Sequence, residues 1–454
     1  MVSSDAYDQR VDLLGTVQLL HTHLTASMCQ TVFAQTRTTE RARKWTLAAL
    51  AEFWTTVIIR APQSLTHALE EAAAGTGAGW PSIQASPEAF FERCQSLHWR
   101  FFAKLYETFV DHVLPDARPC YAQPLQSLQT HFPDVGVVDG SRLDAVAHRL
   151  KLLHDVRTCV LPGCLTAFYD LYRGIARHLA FDPDAAAGEL PRTIAALAHV
   201  PQGTLLVGDR LYGVGKFFAA LSARGLAGLC RRHGRQSWRW VQDLSKTSVA
   251  GGTAYDTLVE VQGHGDIPTQ RLRWVRWRKG RDVRELLSNV LEPKALSVID
   301  ALRVYPWRWK VERLFFDLKE VLNLHRFYTG SPNGVAMQVY AAILVHTAFR
   351  VAQGQVAERL GVAPEEISPA KFFPRLATAS IGLVWSELAF ITIQQANPGV
   401  HLHKPDWQAC AFAWTTLERI QVEPRTGRRR KRRFCQSRKH WKSFAHIPGG
   451  KKLT

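Results

Sequence analysis

The stretch "YPWRWKVERLFFDLK", residues 305–319, carries Tyr305, Arg308, Glu312 and Lys319, separated by three, four and seven positions. On a regular helix at about 100° per residue the four fall within about 60° of arc. An apolar stripe of Trp307, Val311, Leu314, Phe315 and Leu318 lies beside them. The spacing fits two uses: a solvated ridge with an ordinary i,i+4 pair between Arg308 and Glu312, or one wall of a site. Two further acids favour the site. Asp139 follows the apolar run "VGVV" and Asp209 follows "LLVG". An acid at the carboxyl end of a buried strand packs nothing and is costly to desolvate. Two of them, joined by a helical Glu312, point to a carboxylate cluster. Carboxylates without Cys or His partners suit the hard cations Mg²⁺ or Mn²⁺. Two such ions about 3.5–4 Å apart promote phosphoryl transfer. Arg308 and Lys319 then suit a phosphodiester, the guanidinium as a bidentate donor and the ammonium as a point charge.

The order Tyr305-x2-Arg308-x3-Glu312-x6-Lys319 resembles the YREK signature of the insertion-sequence "four" family of bacterial DDE transposases. "VVDGS", "VGDRLY" and "LLSNV" are similar to that family's catalytic blocks, and the likeness covers roughly residues 40 to 350. The resemblance implies a ribonuclease-H-like α/β fold whose sheet is interrupted by a β-rich insertion. It implies Asp139, Asp209 and Glu312 as the catalytic triad that binds two Mg²⁺ (or Mn²⁺) ions. Tyr305, Arg308, Lys319 and Arg210 become DNA contacts. The implied partners are double-stranded DNA, as terminal inverted repeats and as target, and a second copy of the chain in a synaptic homodimer. The implied reaction is cut-and-paste transposition through a hairpin. The family also uses an aromatic residue of the insertion to stack on a flipped base. Here "GRDVRE" precedes "LLSNV" with no Trp, and the nearest candidates are Trp274 and Trp277. Their other reading is packing within the insertion. Two competing functions are a catalytically silent DNA-binding derivative acting as a regulator or inhibitor, and a metal-dependent nuclease that does not join strands. The presence of all three acids argues against the silent derivative.

The elements that must position these residues follow from hydrophobic periodicity. Residues 1–125 read as a helical N-terminal region, with "ARKWTLAALAEFWTTVII" and "SPEAFFERCQSLHWRFFAKLYETFVDHVL" at helical spacing. It suits DNA binding or a bundle packed on its neighbour. Residues 130–232 read as the first part of the catalytic domain, with strands ending at Asp139 and Asp209 and helices at "AAAGELPRTIAALAHV" and "GVGKFFAALSARG". Strands followed by strand–helix alternation predict a mixed sheet flanked by helices. The β-rich insertion spans 233–290. The second catalytic part, 291–400, holds the 305–319 helix, with Pro306 in its first turn, and a long apolar helix. A basic tail, 401–454, ends the chain.

Composition supports a polyanionic partner. The chain has 57 Lys and Arg against 39 Asp and Glu, a net charge of +18, which draws nucleic acid. From Pro424 onward there are 12 Lys or Arg and no acid, a pattern suited to gripping phosphates. No continuous apolar run reaches the roughly 18 residues that span a bilayer. The expected location is the bacterial cytoplasm, at the nucleoid. The 8 cysteines include no CxxC pair and read as reduced thiols.

Overall fold

The computed structural model describes residues 24, 26–36, 44–74, 80, 81, 83–115, 117, 125–143, 163–185, 187–374 and 377. The basic tail expected at 401–454 lies outside them. The strands are β1 (Val135–Arg142), β2 (Cys164–Asp170), β3 (Ile175–Asp182), β4 (Leu205–Gly208), β5 (Ala227–Arg231), β6 (Arg239–Val249), β7 (Gly252–Val261), β8 (Gln270–Lys279) and β9 (Asp282–Ser288). They form one nine-stranded sheet in the order β3-β2-β1-β4-β5-β9-β8-β7-β6. β1, β4 and β5 run parallel, while β2 and β3 fold back antiparallel on β1.

Short apolar runs mark the parallel centre, because a strand covered on both faces needs no polar side. All four residues of β4, "LLVG", are buried. Along β1 the faces alternate: Val137 enters a core shared with the N-terminal helices, and Val138 enters a second core on the other face. The first face is covered by α1 (Ala26–Thr36), α2 (Leu47–Arg60), α3 (Leu65–Ala74), α4 (Pro87–Ser96) and α5 (Arg100–Val113). The second is covered by α6 (Glu189–Ala196) and α7 (Gly215–Ser222). The mixed sheet flanked by helices is thus the observed architecture. The β-rich stretch extends this sheet, because β9 pairs with β5 through Leu229–Ser288, Cys230–Leu287 and Arg231–Leu286. Inside the stretch Arg273, 1% exposed, makes two bonds to buried Asp256 and donates to Leu296 O at 2.7 Å.

The polar ridge departs from the regular helix expected. The helix starts earlier, as α8 (Val298–Val304), where Ser297 accepts from Asp300 N at 3.0 Å and donates to its carboxylate at 2.6 Å. Pro306 therefore falls in the interior, where its missing N–H removes a rung of the ladder. Tyr305–Arg308 tightens to a 3₁₀ turn, α9 (Trp309–Phe316) resumes the α-helix, and Asp317–Val321 widens into a π turn. The 100° projection does not hold across those changes of pitch.

The last long element, α10 (Pro332–Leu360), is capped by Ser331, which accepts from Gly334 N at 3.1 Å, and stops at Gly361 with φ +63°. Residues 332–358 are long and apolar enough, by composition, to cross a membrane, and their most apolar window is wholly buried in the protein. α10 packs on α2, α5 and β3 and forms the floor of the first core.

Candidate active site

β1 and β4 are parallel neighbours paired through Val135–Leu205, Gly136–Leu206 and Val137–Val207. Asp139 lies two residues beyond the last of these pairs, and Asp209 directly follows β4. Both acids therefore stand at the carboxyl ends of adjacent strands. β1 is also flanked by the antiparallel β2, so the ends splay at the kind of place where open α/β sheets bind ligands.

Glu312 reaches this end from α9, which packs on β1 and β2. Arg308 joins the acids: its Nη1 lies 2.8 Å from Glu312 Oε1 and 3.6 Å from Asp139 Oδ2. Asp139 is 16% exposed at the side chain. Burial pushes its carboxyl up to about 7, and Glu189 and Asp209 push the same way. Arg308 and the Gly140 N–H, which donates to Oδ1 at 2.9 Å, only partly oppose them. Burial works against the charge of Arg308, yet Glu312, Tyr305 and Asp139 hold its pKa above the ordinary value. Asp209 uses Oδ1 to accept from Leu211 N at 2.6 Å, which fixes the turn after β4. The donor set is all carboxylate, and burial has made one of them reluctant to ionise without a nearby cation. Both features fit a hard divalent ion held by Asp139, Asp209 and Glu312.

The remaining expected residues fall as follows. Tyr305 is half-buried in the 3₁₀ turn, and burial, with Asp209 and Cys230 in support, raises its pKa. Lys319 sits in the π turn and donates to Ser141 Oγ at 2.8 Å and Arg142 O at 2.6 Å, so it ties the ridge to β1 just past Asp139. Burial lowers its pKa. One of its three ammonium hydrogens remains for a further acceptor. Arg210 is exposed and lies over the backbone of Gly234, at 2.3 Å from the place a Cβ would occupy there. Trp277 is buried, and its indole donates to Val249 O at 2.8 Å. Trp274 packs on Trp238 with ring centroids 5.0 Å apart. Both indoles serve the packing of the β-rich stretch. Its exposed indole is Trp240, at 61%.

Glu189 is a member of the site that the sequence pattern does not single out. It opens α6 and accepts from the Tyr212 hydroxyl at 2.6 Å through Oε1. Its carboxyl lies over Gly140, where a Cβ would meet Cδ at 2.5 Å and Oε2 at 2.7 Å. Gly140 thus leaves room for a fourth carboxylate beside Asp139. Burial and Glu189 together hold the Tyr212 phenol well above its ordinary pKa.

The comparisons with known proteins agree with this arrangement. Residues 165–348 match the family described as "Transposase DDE domain"; the match takes in Glu189, Asp209 and Glu312 and begins after Asp139. The chain is 24% identical over 199 residues, 40% of its length and 54% of the relative's, to "Putative transposase y4zB" of Sinorhizobium fredii. It is 29% identical over 119 residues, 26% of its length and 30% of the relative's, to "Probable transposase for insertion sequence element IS5377" of Geobacillus stearothermophilus. The chain thus spans about half the length of the first relative and under a third of the second. A solved piggyBac transposase synaptic complex with hairpin DNA aligns over 90% of this chain and 85% of its own, at 10% identity and a TM-score of 0.38. The family match and the two relatives support a transposase of the DDE kind.

Proposed function

We propose that the chain is a DDE transposase that cuts and rejoins DNA at terminal inverted repeats, with Asp139, Asp209 and Glu312 as its catalytic carboxylates. The observation that carries this reading is the meeting of three acids, far apart in sequence, at the ends of β1 and β4 and around Arg308. When bound by these carboxylates, two Mg²⁺ or Mn²⁺ ions supply Lewis-acid stabilisation of the phosphodiester and ease deprotonation of the attacking oxygen. The chain's own residues do the rest. Arg308 and Lys319 hold the scissile backbone against the acids, Tyr305 lines its path beside Asp209, and Arg210 reaches a neighbouring phosphate. Glu189 steadies Asp139 from the side through its tether to Tyr212. A first cut frees a 3′-hydroxyl, whose attack on the opposite strand closes a hairpin. Two copies of the chain pair the two ends before target joining.

The test is cleavage of DNA carrying the element's terminal repeats by the purified chain in Mg²⁺ or Mn²⁺. Hairpin and strand-transfer products are expected. Asp139→Ala, Asp209→Ala and Glu312→Ala should each bind the repeats and cut them at least a hundredfold more slowly. Nicks without joined products would mark a nuclease instead. Full cleavage by any one variant removes that residue from the triad.

A further inference from the structure

We propose that Glu107, His178 and His199 form a binding site for a zinc-class divalent cation, apart from the carboxylate site, which clamps the helical N-terminal region to the sheet. The three residues come from different elements. Glu107 lies on α5, His178 on the edge strand β3, and His199 at the end of the 3₁₀ turn Leu197–His199 that follows α6. One ligand atom from each lies within 4.8 Å of the others. Nδ1 of His178 and Nδ1 of His199 are each 3.3 Å from Glu107 Oε1. A tetrahedral zinc ion with bonds of about 2.0–2.1 Å separates its ligand atoms by about 3.3–3.4 Å. Both distances therefore already match an edge of that tetrahedron.

His178 supplies an independent sign. It is 7% exposed, and its Nδ1 has no hydrogen-bond partner, because the nearby carboxylate oxygen is not aligned with it. A buried, unpaired ring nitrogen is costly, and a cation removes that cost. Two imidazoles with one carboxylate favour zinc over magnesium, which prefers oxygen ligands alone. Lys104 Nζ lies 3.3 Å from Glu107 Oε2, which leaves Oε1 as the single oxygen for the ion.

One rearrangement is required. The two imidazoles are stacked, with centroids 4.0 Å apart and planes 10° from parallel. An ion cannot lie in both ring planes of such a stack. His199 must turn out of it, and its side chain, 47% exposed at the end of a short turn, has solvent to turn into. His178 stays fixed between the sheet and Phe168. A water completes the fourth position.

The experiment uses the full chain, stripped with chelator and titrated with Zn²⁺ against a chromophoric competitor in excess Mg²⁺. Thermal melts and the visible spectrum of the Co²⁺ form accompany it. One equivalent of Zn²⁺ is expected, with a raised melting midpoint and the bands of four-coordinate Co²⁺. Glu107→Gln and His199→Ala should weaken Zn²⁺ at least tenfold and lose the Co²⁺ bands, and Asp139→Ala should change neither. His199 is exposed, so its variant decides the matter even where His178→Ala fails to fold. Absence of the equivalent, or its persistence in both Glu107→Gln and His199→Ala, overturns the proposal. Neither outcome depends on DNA cleavage.

Discussion

Asp139 should make the metal-free protein less stable as pH rises through neutrality. Its carboxyl is pushed from 3.8 to about 7, by burial first and then by Glu189 and Asp209. The folded state therefore keeps a proton that the unfolded chain has already lost. The stabilising contribution is whole below about pH 4 and is lost as pH climbs to about 7. Three units at 1.36 kcal/mol each give about 4 kcal/mol, and the group's slight exposure leaves little for solvent to screen. Asp139→Asn keeps the shape and cannot ionise. In chelator, the variant should exceed the native chain by about 1.5 kcal/mol at pH 5 and by about 4 kcal/mol at pH 8. Urea denaturation of the two proteins across that range measures the difference. Added Mn²⁺ should close the gap at pH 8, because only the native carboxylate can bind it. A gap that stays flat from pH 5 to pH 8, or narrows in chelator, would refute both the raised pKa and the crowding of carboxylates behind it.

Gly140→Ala puts a Cβ into the Glu189 carboxyl and should cost about 1–3 kcal/mol by overpacking; Gly140→Ala with Glu189→Ala should recover most of it in the same denaturation assay. Arg273→Ala leaves Asp256 buried without its partner and should cost about 3–5 kcal/mol, read as a lowered urea midpoint. Lys319→Ala loses both ties to β1 and should cost about 1–3 kcal/mol, with faster amide exchange in residues 317–321 as the local sign.

Legibility of the molecule in its sequence tracks how local each cause is. β1 and β4 were readable because an apolar run ending in an acid is a local signal, and α10 because Ser331 and Pro332 begin it and Gly361 ends it. The changes of pitch along the ridge were half-readable. Ser297 and Asp300 form the S/T-x-x-D/E pattern that starts a helix, and noticing it moves Pro306 from the first turn to the interior. The π turn at Asp317–Val321 has no such mark: it accommodates buried Asp317, which pairs with Arg313 at 3.0 Å. Glu189 was unreadable for a different reason. An acid in the first turn of a helix is ordinary, since it suits the helix dipole. Only the tertiary approach of α6 to Gly140 turns it into a neighbour of Asp139. Trp274 and Trp277 lacked a local cue as well, because an alternating strand does not say which of its faces meets a second layer.

Arg308 carries the electrostatic balance of the site. It is the cation that touches two of the acids, and its contact with Glu312 is much closer than its contact with Asp139. As a surface pair, Arg308–Glu312 contributes little, since Glu312 is still 36% exposed at the side chain and such pairs are worth about 0–1 kcal/mol. Its weight lies in making a carboxylate cluster tolerable while no other cation is present. Carboxylates that turn to divalent ions no longer need that guanidinium, and its N–H groups become free for phosphate oxygens on the same side of the ridge. The proposed chemistry therefore needs the pair to open rather than to hold. A 3₁₀ turn at Tyr305–Arg308 joined to the α-helix that carries Glu312 places the two partners on segments of different pitch, so a small change at Pro306 can part them without unfolding either.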